Sequence, residues 1–191
     1  MGKFTVISQD VFNELQLDAG VLLTQFDPAN PRAPRDEEII TATTGGITVA
    51  LEANYSDFGA DVDNCPNNMK ELKHLDSYNA SMTFTALGTS AEVIKLSVGA
   101  ADITETSTYD KVKPRADLEQ TDFQHVWWVG DKADGGAVAV ELLNALSTGG
   151  FSLKTTKSGK GQLSVTLTGH VSINAQKIVP MNFYSIEPES E

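Results

Sequence analysis

The feature that most limits what this chain can become is a strict alternation of apolar and polar residues. A two-residue period places every second side chain on one face of an extended strand, and a helix has no use for it. It is clearest from Leu163, where Leu163, Val165, Leu167, Val171 and Ile173 alternate with Gln162, Ser164, Thr166, Thr168, Ser172 and Asn174. Gly169 breaks the series where an apolar residue is due and marks an expected bulge. A second run sets Ile47, Val49, Leu51, Ala53 and Tyr55 against Thr48, Glu52, Asn54 and Ser56, and a third sets Tyr78, Ala80, Met82 and Phe84 against Asn79, Ser81, Thr83 and Thr85. Each reads as a strand with one buried face.

Two further runs, Val126-Trp127-Trp128-Val129 and Ala137 to Leu143, are too apolar to leave a face in water, so they are expected to be central or sandwiched. Ser147-Thr148-Gly149-Gly150 and Lys157-Ser158-Gly159-Lys160-Gly161 read as turns of an antiparallel meander. One helix interrupts the strands. Thr89 is its expected cap, Glu92 stands three residues on as a capping box requires, Val93, Leu96 and Ala100 form one apolar row, and Ile94, Val98 and Ala101 form another. A shorter helix is expected after Asp10, with Val11, Phe12 and Leu15 turned inward.

Two stretches fit no core element. Residues 27–38 carry Pro28, Pro31 and Pro34 with Arg32 and Arg35, a composition that favours an extended, solvated arm. Residues 105–121 are polar, carry Pro114, and mix Asp110, Lys111, Lys113, Arg115 and Asp117; a loop that long in a small domain usually has a function or no fixed structure. No repeat or break divides the core, so one domain over residues 1–191 is expected.

The totals narrow the function. A chain of 191 residues can bury a core without metals or staples. Its 14 basic and 26 acidic residues leave a formal charge of −12, which repels nucleic-acid backbones and anionic membranes. Cys65 is the only cysteine, so no intrachain disulfide forms and a reducing compartment is implied. The opening Met1-Gly2-Lys3-Phe4-Thr5-Val6 lacks the apolar stretch of a signal peptide, and nowhere do eighteen apolar residues follow one another. The expectation is a protein made in the cytosol that does not span a membrane.

Chemical signatures are sparse. Asp57-Phe58-Gly59-Ala60-Asp61-Val62-Asp63-Asn64-Cys65-Pro66 gathers carboxylates that suit calcium. Counted from Asp61, however, the turn glycine of a calcium loop falls on Pro66 and the closing glutamate on Leu72. Asp61 and Asp63 remain weak metal candidates, a solvated turn is the better reading, and no cofactor is expected. His74, His125 and His170 are too far apart for a zinc pair, and His170 is expected on the solvated face of its strand. Cys65 lacks a partner legible in sequence for nucleophilic work. No Gly-x-Ser-x-Gly elbow occurs, and Lys154 occupies the first glycine position of a phosphate loop ending at Gly159-Lys160. Trp127 and Trp128 point to opposite faces of a strand, one an expected core anchor and the other an interface anchor. Catalysis is not expected.

The order of several segments carries a resemblance. Ala42-Thr43-Thr44-Gly45-Gly46 leads into a strand, followed by Asp57-Phe58-Gly59 with Asp63-Asn64-Cys65-Pro66, then Lys70-Glu71-Leu72-Lys73. Asp122-Phe123 with Trp127-Trp128-Val129-Gly130-Asp131 comes next, then Leu143-Asn144-Ala145-Leu146 with Thr148-Gly149-Gly150-Phe151, and Gly159-Lys160-Gly161 before Thr168-Gly169-His170. From about Phe12 to the C-terminus the chain resembles the major tail proteins of tailed phages and prophages of Gram-positive bacteria.

That resemblance implies a mainly β fold, a β-sandwich or rolled barrel of antiparallel strands with one flanking α-helix. It implies a structural virion protein, with rings, hexameric in this family, stacking into a tube that conducts DNA out of the capsid. The implied partners are further copies of the chain, a tape measure protein, and tail terminator and initiator proteins; DNA passes an acidic bore without specific binding. Pro28, Pro31, Arg32 and Arg35 from one loop, Tyr109, Lys113 and Arg115 from the other, and Trp128 are the expected subunit contacts. A carbohydrate-binding β-sandwich, using Trp127 or Trp128 with the Asp61 and Asp63 loop, is the alternative. A hydrolase on a β-scaffold is a third reading, without a paired acid and base at any recognisable spacing.

Overall fold

The chain is mainly β, with ten strands and one α-helix among residues 7–188, which the computed structural model describes. Met1 to Val6, read above for a signal peptide, lie outside the described residues. The strands are β1 (Gln16–Leu23), β2 (Thr43–Asp57), β3 (Lys73–Ala86), β4 (Ala101–Glu105), β5 (Asp110–Pro114), β6 (Gln124–Lys132), β7 (Ala137–Ser147), β8 (Ser152–Lys154), β9 (Gln162–Gly169) and β10 (Met181–Ile186). The helix α1 is Ala91–Val98.

Eight strands form one antiparallel sheet in the order β1-β6-β7-β9-β3-β2, with β10 added to β7 and β8 to β9. The sheet rolls back on itself. Just before β2, Ile39 bridges to Leu23 of β1, Ile40 N donates to Leu22 O at 2.9 Å, and Thr24 N donates to Glu38 O at 2.9 Å. The two ends of the strand order are thereby stitched together. Rolling hides sheet edges that a flat arrangement leaves open.

Alternation decides what fills the roll. Leu163, Val165 and Leu167 of β9, Ala80, Met82, Phe84 and Ala86 of β3, Leu22, Val126, Val140, Leu142 and Met181 form the main core. Each of the fully buried Leu or Val side chains contributes about 1.5–3 kcal/mol. The opposite faces of β1, β6, β7 and β10 carry a second, smaller cluster built on Leu23, Trp127 and Ala139 with Phe26, Val129, Tyr184 and Ile186 against it. So β6 and β7 are covered on both sides, as their apolar runs require, and Trp127 and Trp128 do face opposite ways. Gly20 permits this packing. Its φ of +69° opens a bulge in β1, and a Cβ there would stand 2.6 Å from both Val129 O and the Trp128 indole nitrogen.

Several expectations are corrected. Ser90, not Thr89, caps α1: its hydroxyl accepts from Val93 N at 3.4 Å, and that register buries Val93 and Ser97 toward the sheet. Ala100 and Ala101 fall outside the helix because Gly99, at φ +88°, ends it, and Ala101 starts β4 fully buried. After Asp10 there is a single 3-10 turn, Gln9–Phe12, and Val11, Phe12 and Leu15 are exposed. Strand β9 stops at Gly169, where a Cβ would press on Leu142 and Pro180, so Val171 and Ile173 leave the alternation and are exposed.

The stretch Ser147-Thr148-Gly149-Gly150 does not reverse the chain. Strand β7 pairs with β9 through Ser147↔Leu167, Thr148 N donates to Thr166 O at 3.0 Å, and β8 resumes along the same edge at Ser152↔Ser164. The glycines make room for a bulge, with Gly150 at φ +69°. Residues 157–161 do form a reversal, between β8 and β9. Within residues 105–121 lies most of the β4–β5 hairpin, where Ile103 faces Val112 and Thr106 Oγ1 accepts from Tyr109 N at 3.0 Å. With Ile103 against Val112 as its one facing pair of large apolar residues, the hairpin leaves little periodicity to read.

Candidate assembly surface

The longest hairpin is the part of the fold its own barrel uses least. Strands β2 and β3 stay paired from Thr43↔Ala86 to Asp57↔Lys73, yet β9 accompanies β3 only over Ser81–Ala86. From Ser81 back to Lys73, at about 3.3 Å per residue, the hairpin runs roughly 25 Å past its neighbour. Exposure rises accordingly. Residues 73–77 are all exposed, whereas Ala80 and Met82 are fully buried.

The tip of this arm is hydrogen-bonded within itself and exposes several apolar side chains. The Asp57 carboxylate accepts from Asn68 N at 2.9 Å and from Gly59 N at 3.0 Å, and these two bonds, Asn68 first, hold it below the usual carboxylate range. Lys73 Nζ donates to Asn68 Oδ1 at 3.2 Å and sits 5.9 Å over the Tyr55 ring. The Phe58 ring lies 5.7 Å from His74. On this frame Phe58 is 65% exposed and Val62 55%. Met69 is also exposed, with its sulfur 3.6 Å from Cys65 Sγ. Asp61 and Asp63 sit in the same tip loop, and among the described residues no group of three His, Cys, Asp or Glu side chains is placed to hold a metal ion.

Open edges add to the surface. Within the described residues β10 pairs only with β7, β8 only with β9, and β2 only with β3. Unpaired strand edges offer backbone donors and acceptors to another chain. Beside them Phe183, Phe151 and Leu153 are exposed.

The expected contact residues are distributed differently. Pro28, Pro31, Arg32 and Arg35 lie in a loop that folds back over the second cluster, where Phe26 packs 5.7 Å from Trp127. Glu38 anchors that loop. It is 2% exposed and accepts from Gln25 Nε2, Arg32 Nη1 and Arg35 N, each at 2.9 Å, with Arg32 Nη2 on its other oxygen. The Arg32 bonds above all, then the Arg35 amide, hold its pKa at about 2. Arg35 itself is exposed and only 3.9 Å from an exposed Glu37. A proline-rich composition anticipated an extended arm; the buried carboxylate is what draws it in.

Arg115 is likewise engaged within its own chain. Its guanidinium reaches Asp102 at 2.8 Å, Glu119 at 3.2 Å and the buried Asp122, clamping the β4–β5 hairpin to the turn before β6. Tyr109 and Lys113 are exposed on that hairpin. Trp128 is half-buried against the main core, and its indole donates to Ala19 O at 3.0 Å. Trp127 lies under Phe26 and Tyr184. Neither tryptophan neighbours the Asp61 and Asp63 loop in the fold.

The histidines are also placed. His125 Nδ1 is 3.3 Å from Glu141, which accepts from Asn182 at 2.9 Å and Tyr184 at 3.2 Å; this knot ties β6, β7 and β10 on their outer face. Burial, then the Glu141 charge, pushes the Tyr184 hydroxyl up. His170 is half-buried rather than solvated, edge-on to Phe123 at 5.3 Å with Nδ1 3.2 Å from Asn144 O. Among the described residues no helix is long and apolar enough to cross a membrane.

Apolar residues in a turn carry no period, so the exposed tip of the arm leaves no signal in the sequence. A scan against protein families finds no match for this chain, and a search of curated proteins finds none either.

Proposed function

We propose that this chain is the major tail tube subunit of a phage, prophage or tail-like particle, working by polymerisation rather than catalysis. One observation carries the reading: the far half of a β-hairpin of 15 and 14 residues stands off the rolled sheet and ends in a hydrogen-bonded tip with large apolar side chains in water. Such a feature costs solubility unless a partner covers it. Strand edges that lack a partner among the described residues, on β2, β8 and β10, suit pairing with copies of the same chain, and head-to-tail contacts of that kind close into rings or run on as filaments. The resemblance in segment order supports the same assignment. Subunits are made in the host cytoplasm and end in the virion tail, with tape measure, terminator and initiator proteins as further partners. The net charge of −12 fits a bore that DNA passes without sticking.

Purified protein examined by negative-stain microscopy and by size-exclusion chromatography over rising concentration tests this. Rings or tubes are expected. A strict monomer at high concentration, even with tail initiator proteins added, defeats it.

A further inference from the structure

The charge of this protein is segregated along its sequence. From Leu142 to Ile186 there is no Asp or Glu, while Lys154, Lys157, Lys160 and Lys177 lie in that span; 14 less these four leaves ten basic residues elsewhere against all 26 acidic ones. The fold turns this into a local feature. Lys154 ends β8, Lys157 and Lys160 occupy its reversal into β9, and all three are exposed. Phe151 and Leu153, 49% and 43% exposed, stand beside them.

A surface of opposite character lies elsewhere. A groove of about 580 Å³ opens between the loop carrying Phe26 and the strands β1, β6, β7 and β10. Val21, Phe26 and Ile186 give it an apolar floor continuous with the second cluster, and Asp18, Asp131 and Glu187 stand exposed at its rim. Among the described residues the one basic side chain in its wall, Arg32, is committed to Glu38.

The two surfaces sit at opposite ends of one strand line. Gly135, Gly136 and Ala137 close the groove where β7 begins, while β8 continues from the far end of β7 along the same edge of β9. Strand β7 alone has 11 residues, about 35 Å at 3.3 Å each. A copy cannot bring its own lysine turn to its own groove, but a second copy displaced along the strands can.

We infer that the groove seats the β8–β9 turn of a second copy, Phe151 and Leu153 against its apolar floor and Lys154, Lys157 and Lys160 against its three carboxylates. The inference rests on the self-assembling reading above and gives it a direction. Because the patches differ and lie at opposite ends, the contact is heterologous and repeats from copy to copy along the stack. Like charges in any other register disfavour the alternatives.

Sedimentation velocity on the full chain at 50 and 500 mM NaCl tests it, salt being expected to weaken the contact. Lys157→Glu with Lys160→Glu, both on an exposed turn, is expected to raise the concentration at which large species appear by roughly ten-fold or more. Adding Asp131→Lys and Glu187→Lys to that variant is expected to restore assembly. Independently, Lys157→Cys with Glu187→Cys in a Cys65→Ser background is expected to give a ladder of dimer, trimer and higher species on oxidation. Assembly unchanged by the lysine reversals, or the lack of any ladder, overturns the groove assignment and leaves self-assembly standing. A ladder that stops at the dimer overturns the repeating direction. A wild-type chain that never assembles overturns both this inference and the function on which it rests.

Discussion

Strand β9 and the far half of the β2–β3 hairpin carry the same two-residue alternation and meet opposite fates. In β9 the apolar row Leu163, Val165, Leu167 is at most 1% exposed, because β3 and the β7–β8 line flank it and the roll closes over it. In the hairpin the row continues through Ala53 and Tyr55, yet Tyr55 is 56% exposed, because β9 has already ended beside Ser81. Alternation fixes which side chains share a face. It does not say whether anything in the same chain covers that face, and here the uncovered part is the arm on which the proposed function depends.

The comparison breaks most sharply in the core. Leu167→Ala empties a fully buried position and is expected to cost roughly 2–5 kcal/mol, since neighbours packed on both sides cannot collapse into the space. Urea unfolding of the two proteins measures it. A loss no larger than that of a surface substitution would mean that the roll is looser than its burial indicates.

Much of the sheet was legible for the same reason. The buried faces of β3 and β9 were read from period two alone, and β6 and β7 from apolar runs with no polar face. Strand β1 gave no such signal, since Asp18 at φ +55° and Gly20 at φ +69° break its period to admit Trp128. The β4–β5 hairpin has only Ile103 against Val112 to announce it. The Gly149-Gly150 pair looks like a reversal, and only the pairing of β7 and β8 to one edge of β9 shows it to be a bulge. For the candidate surface, the loop prolines and arginines were visible but their folding onto Glu38 was not, because an ion pair between residues six apart leaves no period. The exposed apolar tip of the arm was invisible as a site, since exposure is decided by where β9 stops.

Acid sharpens the contrast between the closed roll and the arm. Glu38, held at about 2 against an ordinary 4.5, is a group whose folded pKa is depressed. Its stabilisation is therefore complete above pH 4.5 and is lost as pH falls from there toward 2. Asp57 is depressed from 3.8 by the Asn68 and Gly59 amides, so its contribution is also present above its ordinary value and fades below it. The two serve different parts of the molecule. Glu38→Gln is expected to flatten the acid side of the global unfolding profile between pH 4.5 and 2. Asp57→Asn is expected to leave that profile nearly unchanged while speeding amide hydrogen exchange in residues 58–72. Equal effects of both variants on global unfolding would mean that arm and roll are one cooperative unit.

The smallest effect on folding is expected at the arm's outermost residues. Phe58 and Val62 are 65% and 55% exposed, so Phe58→Ser with Val62→Ser removes little buried area and should shift unfolding of the isolated chain by no more than about 0.5 kcal/mol. The same pair is expected to abolish large species in sedimentation, since residues that contribute almost nothing to their own fold are free to contribute to contacts between copies. A clear loss of monomer stability would place the tip inside the fold after all. Unaltered assembly would leave the polymer to the groove contact and the strand edges of β2, β8 and β10, and the apolar tip would then have no part in holding it together.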